Sequence, residues 1–144
     1  MIRIAVARID EHEALAQCYR AWGYDAGIAP ADRVYVARLD DRPIGIVRRS
    51  EEQGTLMLRG MQVDPAFHRR RVGTRLLRAF VAELPVRDCH CVPYNHLTHF
   101  YGQEGFALVD EADGPPHLRE RLVRYRAEGL SVVLMRRPAD RTRS

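Results

Sequence analysis

Hydrophobic positions in this chain repeat with a period of two in some segments and of three to four in others, which predicts strands alternating with helices. The clearest segment is an apolar stretch over 56–63 that Asp64 and Pro65 terminate. Proline cannot donate a strand hydrogen bond and restricts the residue before it, so a strand ends here. Apolar residues then recur at helical spacing over 72–84, and a helix is predicted there. The pattern therefore gives strand, basic loop and helix in succession.

The same reasoning along the chain predicts an α/β fold (an α+β mixed sheet) of about seven strands flanked by helices. The other predicted strands are 2–8, 34–39, 44–48, 86–92, 106–109 and 130–135, and the other helices are 10–22, 96–104 and 117–128. Asp10 is predicted to cap the first helix, and turns are predicted around Asp40–Asp41 and over 50–54. We expect one domain over 1–137 and a flexible C-terminal tail over 138–144.

Composition narrows the class of protein. The 144 residues fit one soluble globular domain, and no apolar run approaches the eighteen or so residues of a membrane span. The N-terminus lacks a long apolar segment with a cleavage site, so a signal peptide is not expected. Three cysteines do not form a disulfide framework, and a reducing cytoplasm is the expected location.

All 23 basic residues are arginine, and the net charge is +4. They concentrate over 69–78 and 136–143, which keeps a nucleic-acid-binding protein using the 69–78 arginines as an alternative. No aromatic residues interleave with these arginines and no nucleic-acid-binding module is recognisable, so this alternative is disfavoured.

The basic loop before the 72–84 helix has the chemistry of an anion site. It reads His68-Arg69-Arg70-Arg71-Val72-Gly73-Thr74. A helix N-terminus presents amide hydrogens without intrahelical partners, and glycine lets a ligand approach the main chain closely. The sequence therefore predicts phosphate binding at this turn.

The stretch V-D-P-x-x-x-R-R-x-V-G-T-x-L-L resembles the acetyl-CoA signature of the GNAT superfamily of N-acetyltransferases. That signature is Gln or Arg, two residues, Gly, one residue, then Gly or Ala, between the fourth strand and the third helix. With Gly73 as its last member, His68 holds the Gln/Arg position and Arg71 holds the first Gly position. The predicted order of elements also resembles the family, apart from a helix over 117–128 inserted between the last two strands.

A second motif, Phe100-Tyr101-Gly102-Gln103-Glu104-Gly105-Phe106, is similar to the family's F-Y-x-x-x-G-F segment. In the family this tyrosine commonly donates a proton to the leaving thiolate of CoA, so the resemblance makes Tyr101 the candidate general acid. A phenol with a pKa near 10 is a reasonable donor to a thiolate. The alternative is that Tyr101 is a core residue packed against Leu97. Asn95 stands near the family's asparagine and is either a cofactor contact or a helix cap.

The resemblance implies an N-acetyltransferase in which a primary amine attacks acetyl-CoA directly. Its cofactor contacts would be Met61, Gln62, Val63, His68, Arg69, Arg70, Arg71, Val72, Gly73, Thr74, Asn95 and Tyr101. A main-chain amide near Met61 or Val63 would stabilise the oxyanion. The fourth strand carries no carboxylate to serve as base, so His90 and Asp88 are the candidates, with His96 and His99 as further options.

Other functions stay open. The fold could bind acyl-CoA as a non-catalytic sensor. Cys89 and Cys91 with His96 and His99 have zinc-ligand chemistry, but their spacing is atypical, so no metal is predicted. A cysteine nucleophile lacks an adjacent base. The acceptor, a small-molecule amine or a peptide or protein amine, is not readable from the sequence, although Trp22, Tyr24 and Tyr125 are candidates to line a pocket or simply to pack. The C-terminal strand and the inserted helix are candidates for homodimer formation.

Overall fold

The computed structural model describes residues 1–139, and its seven strands form one mixed sheet in the order β1-β2-β3-β4-β5-β7-β6. The strands are β1 Ile2–Val6, β2 Arg33–Leu39, β3 Arg42–Glu52, β4 Thr55–Val63, β5 Cys89–Cys91, β6 Ala107–Leu108 and β7 Met135–Arg137. The α-helices are α1 His12–Ala21, α2 Val72–Ala82, α3 Thr98–Gly102 and α4 Pro116–Ala127. Short 3₁₀ helices lie at Ile9–Glu11, Pro65–Phe67, Asn95–Leu97 and Glu111–Asp113. The predicted fold class is confirmed.

Strand directions divide the sheet at β4. β1 pairs antiparallel with β2, and β2 pairs antiparallel with β3. β4 pairs parallel with β5, where Leu56 lies beside Cys89 and Met57 beside His90. β7 lies between β5 and β6 and runs antiparallel to both. β4 continues past this short pairing to Val63, which leads directly into the predicted phosphate loop.

The chain divides into two compact units, and the first is Met1–Ser50 with Leu58–Glu83. Leu15 and Tyr19 of α1 pack on Val34, Val36 and Ile46 of the sheet, and Trp22, Tyr24 and Ile28 are partly buried against this cluster. The candidate pocket residues Trp22 and Tyr24 therefore serve packing here. Phe80 of α2 is fully buried and meets Tyr35 edge-on, with ring centroids 5.6 Å apart.

The second unit comprises Glu51–Met57 and the described residues from Leu84 onward. Leu118 and Leu122 of α4 pack with Met57, Val132 and Leu134, and Tyr125 is partly buried against them. The helix predicted over 117–128 is thus present between β6 and β7, one residue earlier than expected at each end. It covers one face of the sheet.

The strands predicted over 86–92 and 130–135 both begin later than expected. The strand predicted over 86–92 is only Cys89–Cys91, because Val86 is 75% exposed and the Arg87 side chain bonds Glu51. The strand predicted over 130–135 begins at Met135. The preceding segment is extended and forms an isolated antiparallel bridge between Val132 and Tyr94, through Val133 N to Pro93 O and Asn95 N to Ser131 O. This segment therefore pairs by a single bridge and not as a regular strand.

Three local predictions are also wrong. Asp10 lies inside the 3₁₀ turn before α1, and the N-terminal contact is made instead by Glu11 Oε1, which accepts from Arg8 N at 2.8 Å. β3 extends through Glu52, so the predicted 50–54 turn is confined to Gln53 and Gly54, both at positive φ. Asn95 makes no side-chain cap, since the residue preceding its 3₁₀ turn is Tyr94.

The end of the described chain is held by hydrogen bonding. Ala139 is 6% exposed, and its amide donates to Asp88 Oδ1 at 2.8 Å. The rest of the tail predicted over 138–144 lies outside the described residues, and one domain over 1–137 stays a prediction. Within 1–139, none of the helices is long and apolar enough to cross a membrane.

Candidate functional site

Asp64 organises the loop that joins β4 to α2. Its carboxylate accepts from Ala66 N at 2.9 Å and from Arg42 Nη2 at 3.0 Å, and Asp64 is 7% exposed. Phe67 in the following turn lies beneath two guanidinium groups, with Arg42 and Arg70 at 5.3 and 5.4 Å from its ring centroid. The loop is therefore a fixed structure, and Asp64 does more than end the strand.

The main chain of this loop turns sharply before the helix begins. Arg69 and Arg71 both have left-handed conformations, with φ of 72° and 59°. Such conformations are unfavourable for residues with a Cβ and are typical of glycine. The position where the resembled signature carries glycine thus keeps a glycine-like backbone although arginine occupies it. The Arg71 side chain is exposed.

Gly45 sets how closely α2 approaches the sheet. A Cβ at this position would lie 2.8 Å from Leu76 Cδ1 and 2.9 Å from Val72 Cγ1. Val72 and Leu76 are buried residues of α2. The helix N-terminus, with no acidic residue in its first turn, is therefore seated against β3 at a glycine. Val72, Gly73 and Thr74 occupy the first turn, where amides lack intrahelical partners.

His68 points back toward the strand. Its Nε2 lies 3.0 Å from the Val63 carbonyl oxygen, so the imidazole contacts the end of β4. Met61, Gln62 and Val63 complete this partly exposed end of the strand. Within the first unit, the structure therefore brings together the residues predicted over 61–63 and 68–74.

Gly60 interrupts β4 at the same end. It has φ of 64°, and its carbonyl oxygen accepts a hydrogen bond from Tyr19 Oη at 2.7 Å. The peptide bond between Gly60 and Met61 is trans. In a trans peptide the N–H points opposite to the C=O, so the Met61 amide points away from Tyr19. Sequence reasoning missed this feature, although a glycine inside a strand often indicates a bulge.

A buried ion pair fixes the Tyr19 hydroxyl. Arg48 Nε donates to Tyr19 Oη at 3.2 Å, and Arg48 Nη1 donates to Asp32 Oδ2 at 3.0 Å. The side chains of Arg48 and Asp32 are 7% and 5% exposed. Burial raises the pKa of Tyr19, which keeps its proton. Because arginine can only donate, the single Tyr19 proton is directed to Gly60. An arginine inside an apolar strand is the one sign of this network in the sequence.

Tyr101 lies in the second unit and is 5% exposed. Its ring meets Phe100 and Phe106 edge-on, at centroid distances of 4.9 and 5.9 Å. Gly105, at φ of 92°, ends the segment as predicted. Asn95 is exposed, and its main-chain N–H donates to Ser131 O. The aromatic contacts hold the Tyr101 ring in one orientation.

His90, the first of the base candidates, lies on β5 and is 8% exposed. Burial lowers its pKa, the positive charge of Arg136 lowers it further, and Asp88 opposes both. The imidazole is therefore neutral near pH 7, as a base must be. Asp88 is committed to the Ala139 amide. The alternatives His96 and His99 are exposed residues of the 95–102 segment.

The cysteines show no reactive environment. Cys18, Cys89 and Cys91 are free thiols, and burial raises the pKa of Cys91 and of Cys18. A raised pKa disfavours the thiolate that nucleophilic catalysis needs. Over residues 1–139, no group of three or more His, Cys, Asp or Glu side chains is arranged to hold a metal ion.

Comparisons with known proteins agree with this architecture. A family model described as an acetyltransferase (GNAT) domain matches residues 30–108, from before β2 to the end of β6. No curated protein matches the sequence.

Solved structures resemble the chain at low sequence identity. N-acetylglutamate synthase from Neisseria gonorrhoeae, complexed with coenzyme A and N-acetyl-glutamate, has a TM-score of 0.70 at 16% identity, and the match covers 98% of this chain but 36% of the synthase. The ribosomal-protein-S18-alanine N-acetyltransferase of Escherichia coli has a TM-score of 0.69 at 13% identity, covering 97% and 95%. The PaiA N-acetyltransferase of Thermoplasma acidophilum, in complex with coenzyme A, has a TM-score of 0.62 at 15% identity, covering 96% and 99%.

Proposed function

Because the chain belongs to the GNAT acetyltransferase family, we propose that it transfers an acetyl group from acetyl-CoA to a primary amine by direct attack on the thioester. The observation that carries the proposal is the turn before α2, where Arg69 and Arg71 adopt left-handed conformations ahead of a helix N-terminus free of acidic residues. This backbone suits a diphosphate, which needs converging amides and positive charge.

The residues present fit the diphosphate. The amides of residues 69–74 bind its oxygens, and the Arg69 and Arg71 side chains add positive charge at the mouth of the turn. Arg70 instead lies over Phe67 and supports the loop. His68 holds the end of β4 through the Val63 carbonyl. Asn95 is a further cofactor contact in this proposal.

The end of β4 positions the thioester arm. Pantetheine amides pair with main-chain groups over Met61, Gln62 and Val63, so the side chains there are free to vary. The oxyanion accepts from the Met61 amide, whose direction the Tyr19 to Gly60 hydrogen bond sets. Oriented main-chain donors of this kind need no reorganisation during the reaction, which is why they lower the barrier.

Proton transfer involves two further side chains. Tyr101 protonates the departing thiolate, and its contacts with Phe100 and Phe106 hold the ring in position until then. His90 is the candidate to take a proton from the ammonium form of the acceptor, so that the neutral amine attacks the thioester, since burial keeps the imidazole neutral near pH 7. No structural observation favours the sensor or the nucleic-acid alternative over this reaction.

A thermal-shift titration separates these functions. The chain is heated with acetyl-CoA, with CoA and with a short duplex DNA, and release of CoA from acetyl-CoA is followed with a panel of amines and an alanine-terminated peptide. We expect stabilisation by both CoA compounds and CoA release with at least one amine. Binding without turnover across the panel would favour the sensor, and stabilisation by DNA alone would favour the nucleic-acid protein.

We further propose that the protein acts in the cytoplasm, where its free thiols persist.

A further inference from the structure

Buried polar atoms without hydrogen-bond partners are concentrated near α4 in the second unit. Among the described residues, five buried side-chain nitrogen or oxygen atoms have no hydrogen-bond partner: His12 Nδ1, His90 Nδ1, His117 Nε2, Arg121 Nη1 and Arg136 Nε. Four of the five belong to β5, β7 and α4. Buried polar atoms are ordinarily hydrogen-bonded, so a cluster of exceptions points to a ligand or to water.

His90 and Arg136 share one face of the sheet. They are direct partners across the antiparallel β5–β7 pair, where opposing side chains lie on the same side. His90 is also the partner of Met57 across β4 and β5, and Met57 packs against Leu118 and Leu122 of α4. The face that carries His90 and Arg136 is therefore the face that α4 covers.

His117 and Arg121 approach this face from the helix. They are four residues apart in α4, so their side chains are neighbours on its surface. They flank Leu118 and Leu122, which are fully buried against the sheet. The positive charges of Arg136 and His117 both act on His90, which supports their closeness. Arg121 is paired through Nη2 with Glu52, and its buried Nη1 has no partner.

We propose that His90, His117, Arg121 and Arg136 form a binding site for a carboxylate beneath α4. Four nitrogen atoms match the four lone-pair positions of a carboxylate, and two of them belong to permanently charged guanidinium groups. Each imidazole donates to the ligand through its unpaired nitrogen, Nδ1 of His90 and Nε2 of His117. Asp88 is the nearby opposing charge, and its carboxylate is occupied by the Ala139 amide.

The partial exposure of His117 and Arg136 gives a carboxylate a route into the site, while His90 at 8% exposure forms its inner wall. The carboxylate belongs either to the acceptor amine or to a separate effector. The first source rests on the proposed acetyltransferase function, and the second does not.

The test uses the whole chain with ¹³C-labelled histidine, titrated with sodium acetate at constant ionic strength and, separately, with phosphate and chloride. We expect saturable shifts of the His90 and His117 resonances with acetate and little with chloride. Arg136→Gln should weaken acetate binding about tenfold or more, because a charged hydrogen bond is lost. Arg119→Gln, an exposed change on the same helix, is the matched control and should leave it unchanged.

Three results would overturn the site: no saturable shift with acetate, equal weakening by the control variant, or tighter binding of phosphate than of acetate. CoA release with glycine and with methylammonium then distinguishes the sources. A preference for glycine that Arg136→Gln removes assigns the carboxylate to the acceptor, whereas acetate that changes the rates with glycine and with methylammonium by the same factor assigns it to an effector. Failure of the chain to bind acetyl-CoA would refute the proposed function but leave the histidine titration decisive for the site.

Discussion

The hydroxyl of Tyr19 on α1 donates to the carbonyl of Gly60 on β4 across 2.7 Å, and this single contact orients a peptide group at the end of the strand. Position 60 requires glycine for two reasons. Its φ is 64°, and a Cβ there would collide with the Tyr19 hydroxyl and lie 2.9 Å from Arg48 Nε. The direction of the Met61 amide therefore depends on α1, through residues far from it in sequence.

Removing this contact should slow the reaction without weakening CoA binding. Tyr19→Phe leaves the ring in place but frees the Gly60 peptide, so we expect turnover to fall by about tenfold to a hundredfold, below the full loss of an oxyanion donor. The matched control is Tyr24→Phe, because the Tyr24 hydroxyl accepts a long hydrogen bond, 3.4 Å, from Arg48 Nη2 in the same network. Steady-state rates and CoA affinity are measured for both. Equal rates for the two variants would remove Tyr19 from this role.

Replacing Tyr101 tests the proposed general acid. Tyr101→Phe keeps the aromatic packing with Phe100 and Phe106 but removes the proton donor. We expect turnover to fall on the order of 10²-fold with little change in CoA affinity. Tyr94→Phe is the control, since Tyr94 is 46% exposed. An unchanged rate in Tyr101→Phe would leave the residue a purely structural role.

Arg71 tests whether the loop binds through its backbone or its side chain. Arg71→Gly suits the left-handed conformation at φ of 59°, and this gain offsets the loss of one exposed positive charge, so CoA affinity should stay the same or increase. The comparison is Arg71→Ala, which also removes the guanidinium but keeps a Cβ. Calorimetric titration of both variants gives the answer. A large loss of affinity in both would identify the guanidinium as a direct ligand.

Gly45 should be sensitive to even one added methyl group. Gly45→Ala places a Cβ within 3 Å of Val72 and Leu76, so α2 must shift at its N-terminus. We expect a loss of about 1–3 kcal/mol in the free energy of unfolding and weaker CoA binding. Gly27→Ala is the control, since no atom lies within 4 Å of its added Cβ. Denaturant unfolding of both variants measures the effect. Equal stability of the two would contradict a tight contact between position 45 and α2.

The buried His90 predicts a pH dependence of stability. Its pKa is lowered in the folded protein from an ordinary value of 6.5, so the unfolded chain binds more protons below that pH. Stability is therefore present above about pH 6.5 and is lost as the pH falls through the folded-state pKa. Unfolding between pH 7.5 and 5.5 should show a smaller decline in His90→Gln than in wild type. His96→Gln, an exposed change, should behave as wild type, and a parallel decline in all three proteins would contradict the assignment.

Local patterns predicted the fold well where one segment carried its own signals. The β4–loop–α2 stretch has a proline stop, a helical period and a glycine, and each lies where expected. β5 and β7 were mispredicted because apolar runs report burial and not strand pairing. The segment before β7 is partly buried and forms an isolated bridge between Val132 and Tyr94, and this pairing depends on tertiary structure.

The candidate site was predictable only in its contiguous part. The phosphate loop is one segment, whereas Tyr19 and Gly60 are 41 positions apart and Arg48 lies 29 positions from Tyr19. No spacing rule joins such residues. The cluster under α4 likewise depends on how a helix inserted between β6 and β7 covers the sheet, and His90 alone gave a hint of it.

Calorimetric titration of the whole chain with acetyl-CoA, CoA and pantetheine determines whether the turn before α2 binds the diphosphate of the cofactor. If the amides of residues 69–74 hold a diphosphate, acetyl-CoA and CoA bind with similar affinity and pantetheine, which lacks the diphosphate, binds far more weakly. Absence of heat with both CoA compounds, or equal binding of pantetheine, would contradict the account.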